Sequence, residues 1–239
     1  MSHESSIFQK KSAAKAADRE HRKVINFNIN KYNAAVPGGK KQFADIELTK
    51  ERAKNIKWKA IETLDLQLEN FETAITARGA KVIWCENAAQ ANEAVLKICN
   101  EKNCKTLVKS KSMVTEEIHL NDNLEKSGIE SIETDLGEYI QQLAGEPPYH
   151  IVTPAMHKSA GQIAELFAEK LDTDPSFNAS QLTLVAREKL RKKYAEAEVG
   201  VTGANFIIAD IGGIALTENE GNARLSCSMP KTHIAIVGI

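Results

Sequence analysis

The chain has 239 residues, of which 42% are hydrophobic and 26% charged, and its formal net charge is −1. This is the profile of an ordinary globular protein, long enough for one domain or two small ones. It excludes a global attraction to nucleic acid or anionic membranes, and no apolar run approaches the roughly 20 residues that cross a bilayer.

The first 45 or so residues are polar, and P-G-G-K-K at 37–41 reads as a break. Lys11–Val24 is rich in Ala, Lys and Arg, which predicts a helix. A long helix is expected from about Thr49 to Arg78, closed by Gly79. Its apolar residues Ile56, Ala60, Leu64, Leu68, Phe71 and Ile75 recur at three- and four-residue steps and predict one buried stripe.

Strands and helices then alternate. Lys81–Cys85 reads as a strand, and Asn87 with Gln90 caps a helix over Ala88–Asn100. Lys105–Val108 and Ile129–Glu133 are the next strands, with a helix over Glu116–Lys126 between them. Asp135 and Glu138 make a D-x-x-E capping pattern for a helix at Leu136–Leu143. After Pro147–Pro148 come a strand at His150–Val152 and helices at Ser159–Leu171 and Ala179–Glu196. Phe206–Ala209 and Ile214–Leu216 are short apolar runs bounded by turn residues and read as buried strands. His233–Ile239 is the last strand. The order implies right-handed crossovers and a mostly parallel sheet covered on both faces. The apolar run up to Ile239 suggests a longer natural chain, and the polar start MSHESSIFQKK lacks the core of a secretory signal, which leaves a cytoplasmic expectation.

Open α/β sheets bind ligands at the carboxyl ends of their strands, which directs attention to two segments. In V-K-S-K-S-M-V-T-E-E (108–117), Lys109, Ser110, Lys111 and Ser112 combine positive charge with hydroxyl donors, a setting for a carboxylate or phosphate. The alternative is a solvated basic turn with Thr115 as helix cap. In Val201–Leu225, Gly203, Ala204 and Asn205 could face a ligand, Gly212 and Gly213 permit close backbone approach, and Asn222 and Arg224 offer polar contacts. Asp210, Glu218 and Glu220 are the candidate acids or bases; the alternative is a pair of tight turns around a hairpin.

Among the histidines, His21 and His119 are expected to face solvent, His157 is a candidate pocket residue, and His233 is open. Cys85, Cys99, Cys104 and Cys227 lack C-x-x-C spacing, so neither a disulfide framework nor a metal site in this chain is expected. The basic run R-E-K-L-R-K-K at 187–193 has acidic neighbours and no interleaved aromatics, and reads as a solvated helix face.

K-S-K-S-M-V-T-E-E-I (109–118), E-T-D-L-G-E-Y-I-Q-Q-L-A-G-E-P-P (133–148), T-G-A-N-F and N-E-G-N-A-R-L together resemble the lactate-utilisation (LUD) domain, most closely its iron–sulfur B-subunit type. The resemblance covers about residues 45–239. It implies a three-layer αβα fold shared with ribose-5-phosphate isomerase, glucosamine-6-phosphate deaminase and CoA transferases, with residues 1–45 as a helical N-terminal extension and 46–239 as the LUD domain. It further implies a cytoplasmic, multi-subunit, nicotinamide-independent oxidation of L-lactate to pyruvate. The [4Fe–4S] clusters of that system belong to a C-terminal ferredoxin-like region absent here, and the partners are the other lactate-utilisation subunits. I-G-G-I after Asp210 departs from the expected single glycine followed by Thr or Ser. Two other readings stay open: a stand-alone enzyme of the CoA-transferase or sugar-phosphate isomerase type, with E-N-E-G at 218–221 as a nucleophile turn, and a non-catalytic docking module.

Overall fold

The computed structural model describes residues 3–149, 153–218 and 220–239; the expected strand at His150–Val152 lies outside them. Four helices open the chain: α1 (His3–Ala17), α2 (Arg19–Lys40), α3 (Ile46–Glu62) and α4 (Leu64–Ala77). There follow α5 (Ala88–Glu101), β1 (Thr106–Lys109), α6 (Met113–Glu117), α7 (Leu120–Lys126), β2 (Glu130–Glu133) and α8 (Leu136–Ala144). The remainder is α9 (Ala160–Leu171), α10 (Ala179–Glu196), β3 (Val199–Thr202), β4 (Phe206–Ile208), β5 (Gly213–Ala215), α11 (Asn222–Ser228) and β6 (Thr232–Ala235).

β1, β2, β3 and β6 form one parallel sheet in the order β2-β1-β3-β6. Successive strand residues face opposite sides, and β1 shows it. Val108 and Ile132 join Tyr139, Phe167, Leu182 and Leu190 of α8, α9 and α10 on one face. Leu107, Val199 and Val201 join Val95, Cys99, Leu120 and Leu124 on the other, under α5 and α7. The fold is the expected three-layer α/β arrangement with a helical N-terminal part. From β1 the chain turns to β2 on one side, and β3 pairs with β1 on the other, so the strand order reverses between β1 and β3. That is where an open α/β sheet leaves a crevice.

Two local devices secure this sheet. Gln142 on α8 accepts from Glu133 N (3.0 Å) and donates to Ser131 O (2.6 Å), so a carboxamide covers the exposed edge of β2. Gly200 admits α11: a Cβ there would lie 1.9 Å from the Ser226 carbonyl oxygen.

Several elements differ from the sequence reading. The helix expected over 49–78 is broken at Thr63, whose hydroxyl donates to Lys59 O (3.0 Å) and competes with the helical ladder. Of its expected stripe only Phe71 is buried, because no sheet lies beneath α3. α2 continues through Pro37, which gives up one ladder hydrogen bond, and ends within a turn of it at Lys40. Residues 81–85 are not a strand, and Ile83 and Trp84 are exposed. The helix expected over 116–126 is two short ones separated by left-handed His119 (φ 53), with Ser112 rather than Thr115 as the first cap. The two apolar runs near 206–216 pair antiparallel as the separate β4–β5 hairpin. Their short connection cannot make the crossover that joining the parallel sheet requires.

Candidate functional site

The carboxyl ends of β1 and β3 meet at the switch point. Ser110 N donates to Val201 O (2.9 Å), which holds the two exits together. A Cβ on Gly203 would lie 3.0 Å from Ser112 Oγ, so the 109–112 loop and the 203–205 turn are in direct contact. Ser110 and Ser112 are buried, and Lys111, Gly203 and Ala204 are partly so.

Lys109 is fully buried and does not face the solvent side of this loop. Its Nζ lies 2.9 Å from Glu133 Oε1 and donates to Thr115 Oγ1 at 3.0 Å. Parallel register places Lys109 opposite Glu133 at the ends of β1 and β2, and Asn121 Nδ2 donates to the same Glu133 oxygen at 2.7 Å. Glu138 completes the cluster. Its carboxyl group comes within 4.8 Å of those of Glu133 and Glu116. Burial first, and then the Glu133 charge, push its pKa up to about 9, against a smaller opposing pull from Lys109. At neutral pH Glu138 therefore holds its proton beside the Lys109–Glu133 ion pair.

The D-x-x-E pattern predicts Glu138 as a capping partner, and nothing in it singles out Glu133. Asp135 alone caps α8, accepting from Gly137 N (3.0 Å) and Glu138 N (3.1 Å), which leaves the Glu138 side chain for the interior. The signal available in the sequence was a charged residue ending each of two apolar strands, in segments that become neighbours.

The remaining candidates are dispersed. Asn205 Oδ1 accepts from Thr217 N (2.7 Å) and closes the base of the β4–β5 hairpin. Asp210 is exposed at the hairpin tip. Gly212 packs on α4, where a Cβ would lie 2.3 Å from Ile75 N, and Arg78 Nε donates to Ile211 O at 2.6 Å. Gly213 begins β5. Glu218 Oε2 accepts from Arg224 N (2.9 Å), with Arg224 Nε 3.5 Å from Oε1. Glu220 accepts from Leu136 N (3.2 Å) at the start of α8; burial and the Asp135 charge raise its pKa, and Lys111 opposes them. The Asn222 carbonyl accepts from Tyr194 OH at 3.5 Å.

The histidines divide. His119 is exposed as expected. His21 is half-buried: its Nε2 is 2.9 Å from Tyr149 OH, and Tyr149 stacks 4.4 Å from His157, whose Nε2 meets Glu146 at 2.9 Å. Burial lowers the His21 pKa. This clasp, with Asn28 Nδ2 donating to Met156 O at 2.9 Å, ties α2 to Tyr149 and to the turn around Met156. His233 Nε2 lies 2.9 Å from Thr202 Oγ1 and 3.5 Å from Cys227 Sγ. Cys99 and Cys104 are core residues, Cys227 is half-buried and Cys85 is exposed. Among the described residues no helix is long and apolar enough to cross a membrane.

A parallel sheet wound in both directions from β1, with helices on both faces, defines the three-layer α/β class. The family model described as the LUD domain matches residues 68–239, and the chain belongs to the LUD domain family. It is 44% identical over 191 residues to lactate utilization protein B of Bacillus velezensis, covering 80% of this chain and 40% of that protein. It is 39% identical over 233 residues to lactate utilization protein B of Shouchella clausii, covering 97% and 49%. An Escherichia coli protein named uncharacterized electron transport protein YkgF is 42% identical over 190 residues, covering 80% and 40%. The chain thus spans less than half the length of these relatives. No solved structure matches it.

Proposed function

We propose that this chain is the LUD portion of an electron-transfer subunit in a nicotinamide-independent system that oxidises L-lactate to pyruvate in the cytoplasm, alongside other lactate-utilisation subunits. Its part is to bind a small carboxylate at the crevice between the β1 and β3 exits. The similarity to proteins named for lactate utilisation carries the first half of this reading. The contact of Ser112 with Gly203, beside Lys111, supports the second. Lys109 is engaged with Glu133 and Thr115 and acts from behind the crevice, fixing the loop rather than meeting the ligand. The [4Fe–4S] clusters of such a subunit would not be held by the four cysteines of this chain. Glu218 and Glu220 serve as acceptors at the starts of α11 and α8, which gives a CoA-transferase nucleophile turn no support.

The test is a thermal-shift series with L-lactate, pyruvate, phosphate and acyl-CoA. A ligand present at 100 times its Kd should add about 2.7 kcal/mol of stability. Stabilisation by lactate or pyruvate that Lys111→Ala removes is the expected result. Stabilisation by acyl-CoA alone would overturn the lactate reading.

A further inference from the structure

A folded monomer of 26.3 kDa should expose roughly 10,600 Å², whereas this chain exposes 15932 Å². The excess, about 5,000 Å², is far more than the roughly 800 Å² per partner of a standard protein interface. It is concentrated where helices lack a core: neither α2 nor α3 contains a buried residue. On α3, Ile56, Trp58 and Ile61 are 70%, 63% and 68% exposed, and on α4 Leu66 is 52% exposed. Side chains of that size left in water mark a contact surface.

Charge says what would cover it. α3 carries five basic residues against three acidic ones, while α4 carries Asp65, Glu69 and Glu72 and no basic residue. At 100° per residue, Lys50, Lys54, Lys57, Trp58 and Ile61 fall within about 100° of one another on α3, with Glu47 the one acidic residue inside that arc. Asp65, Leu66 and Glu69 fall within a similar arc on α4. One arc is apolar with basic flanks and the other apolar with acidic flanks, on consecutive helices. Lys50 and Lys54 have exposed partners on their own helix, Glu47 at 2.7 Å and Glu51 at 3.8 Å, and such pairs exchange readily.

We propose that two copies of this chain associate through α3 and α4, the basic arc of each lying on the acidic arc of the other. A two-fold axis makes both contacts identical, so one self-complementary surface closes the dimer. The net charge of −1 sets up little repulsion between copies. This surface is independent of the crevice at the switch point.

Sedimentation equilibrium of the purified chain across the micromolar range tests it. The expected result is a mass of twice 26.3 kDa. Trp58→Glu with Ile61→Glu should raise the dissociation constant at least about 30-fold, the effect of losing a buried aromatic anchor. Lys54→Glu with Lys57→Glu should weaken the dimer as well, and adding Asp65→Lys and Glu69→Lys to that chain should restore it, with helical circular dichroism unchanged throughout. A monomer at every concentration would overturn the proposal. So would a dimer indifferent to both sets of changes, or association only with a different polypeptide.

Discussion

At the carboxyl ends of β1 and β2, charged and hydroxyl side chains are taken out of water, and Lys109, Thr115, Glu133 and Thr134 each meet a partner. Along α3 the opposite holds, for large apolar side chains stand in water and none is buried. The first region is surrounded by helices on both faces of a sheet, so any polar group there must be matched within the fold. The second has no layer beneath it. Stability should therefore be concentrated at the polar cluster, and the apolar helix should contribute to association instead.

The largest effect is expected at Lys109. Lys109→Met leaves Glu133 buried without its counter-ion, which should cost about 3–5 kcal/mol in urea denaturation. Adding Glu133→Gln should recover much of that loss. A loss no larger than that of a surface substitution would show that the cluster is open to water.

Glu138 should make stability depend on pH. Its folded pKa of about 9 lies above the ordinary carboxylate value, so between the two the folded state holds a proton that the unfolded state has released. That stabilising contribution is fully present below the ordinary carboxylate pKa, declines as pH rises, and is lost as pH passes through about 9. Glu138→Gln should flatten the profile and leave the variant more stable than the parent at alkaline pH. Denaturation curves collected across that window would expose a profile that Glu138→Gln leaves unchanged, and Glu138 would then be an ordinary carboxylate.

The smallest effect is expected on α3. Ile56→Ser should change the stability of an isolated monomer by no more than about 0.5 kcal/mol, as at other surface positions. A loss of several times that, measured under dilute conditions, would mean that α3 packs on the rest of the chain and that the contrast between the two regions fails.

Much of the fold was legible because local signals and tertiary environment agreed. Asn87, Asp135, Ser159 and Asn178 each cap the helix that follows, and the apolar residues of β1 alternate between the two core faces. The candidate site was legible only as an edge. The 109–112 loop and the 203–205 turn do meet, but Lys109 turns inward to Glu133. Asp210 and Gly212 follow the hairpin to α4.

The sequence by itself determined the alternation of strands and helices, the parallel sheet and the two segments at its carboxyl edge. Those follow from side-chain periodicity and caps within a few residues of one another. Only the tertiary structure decided that Lys109, Glu133 and Glu138 share one buried space, that Gly200 admits α11, that His21 clasps Tyr149, and that α3 is left in water. Each of these depends on which distant segments share a face of the sheet, and strand order, not local pattern, settles that.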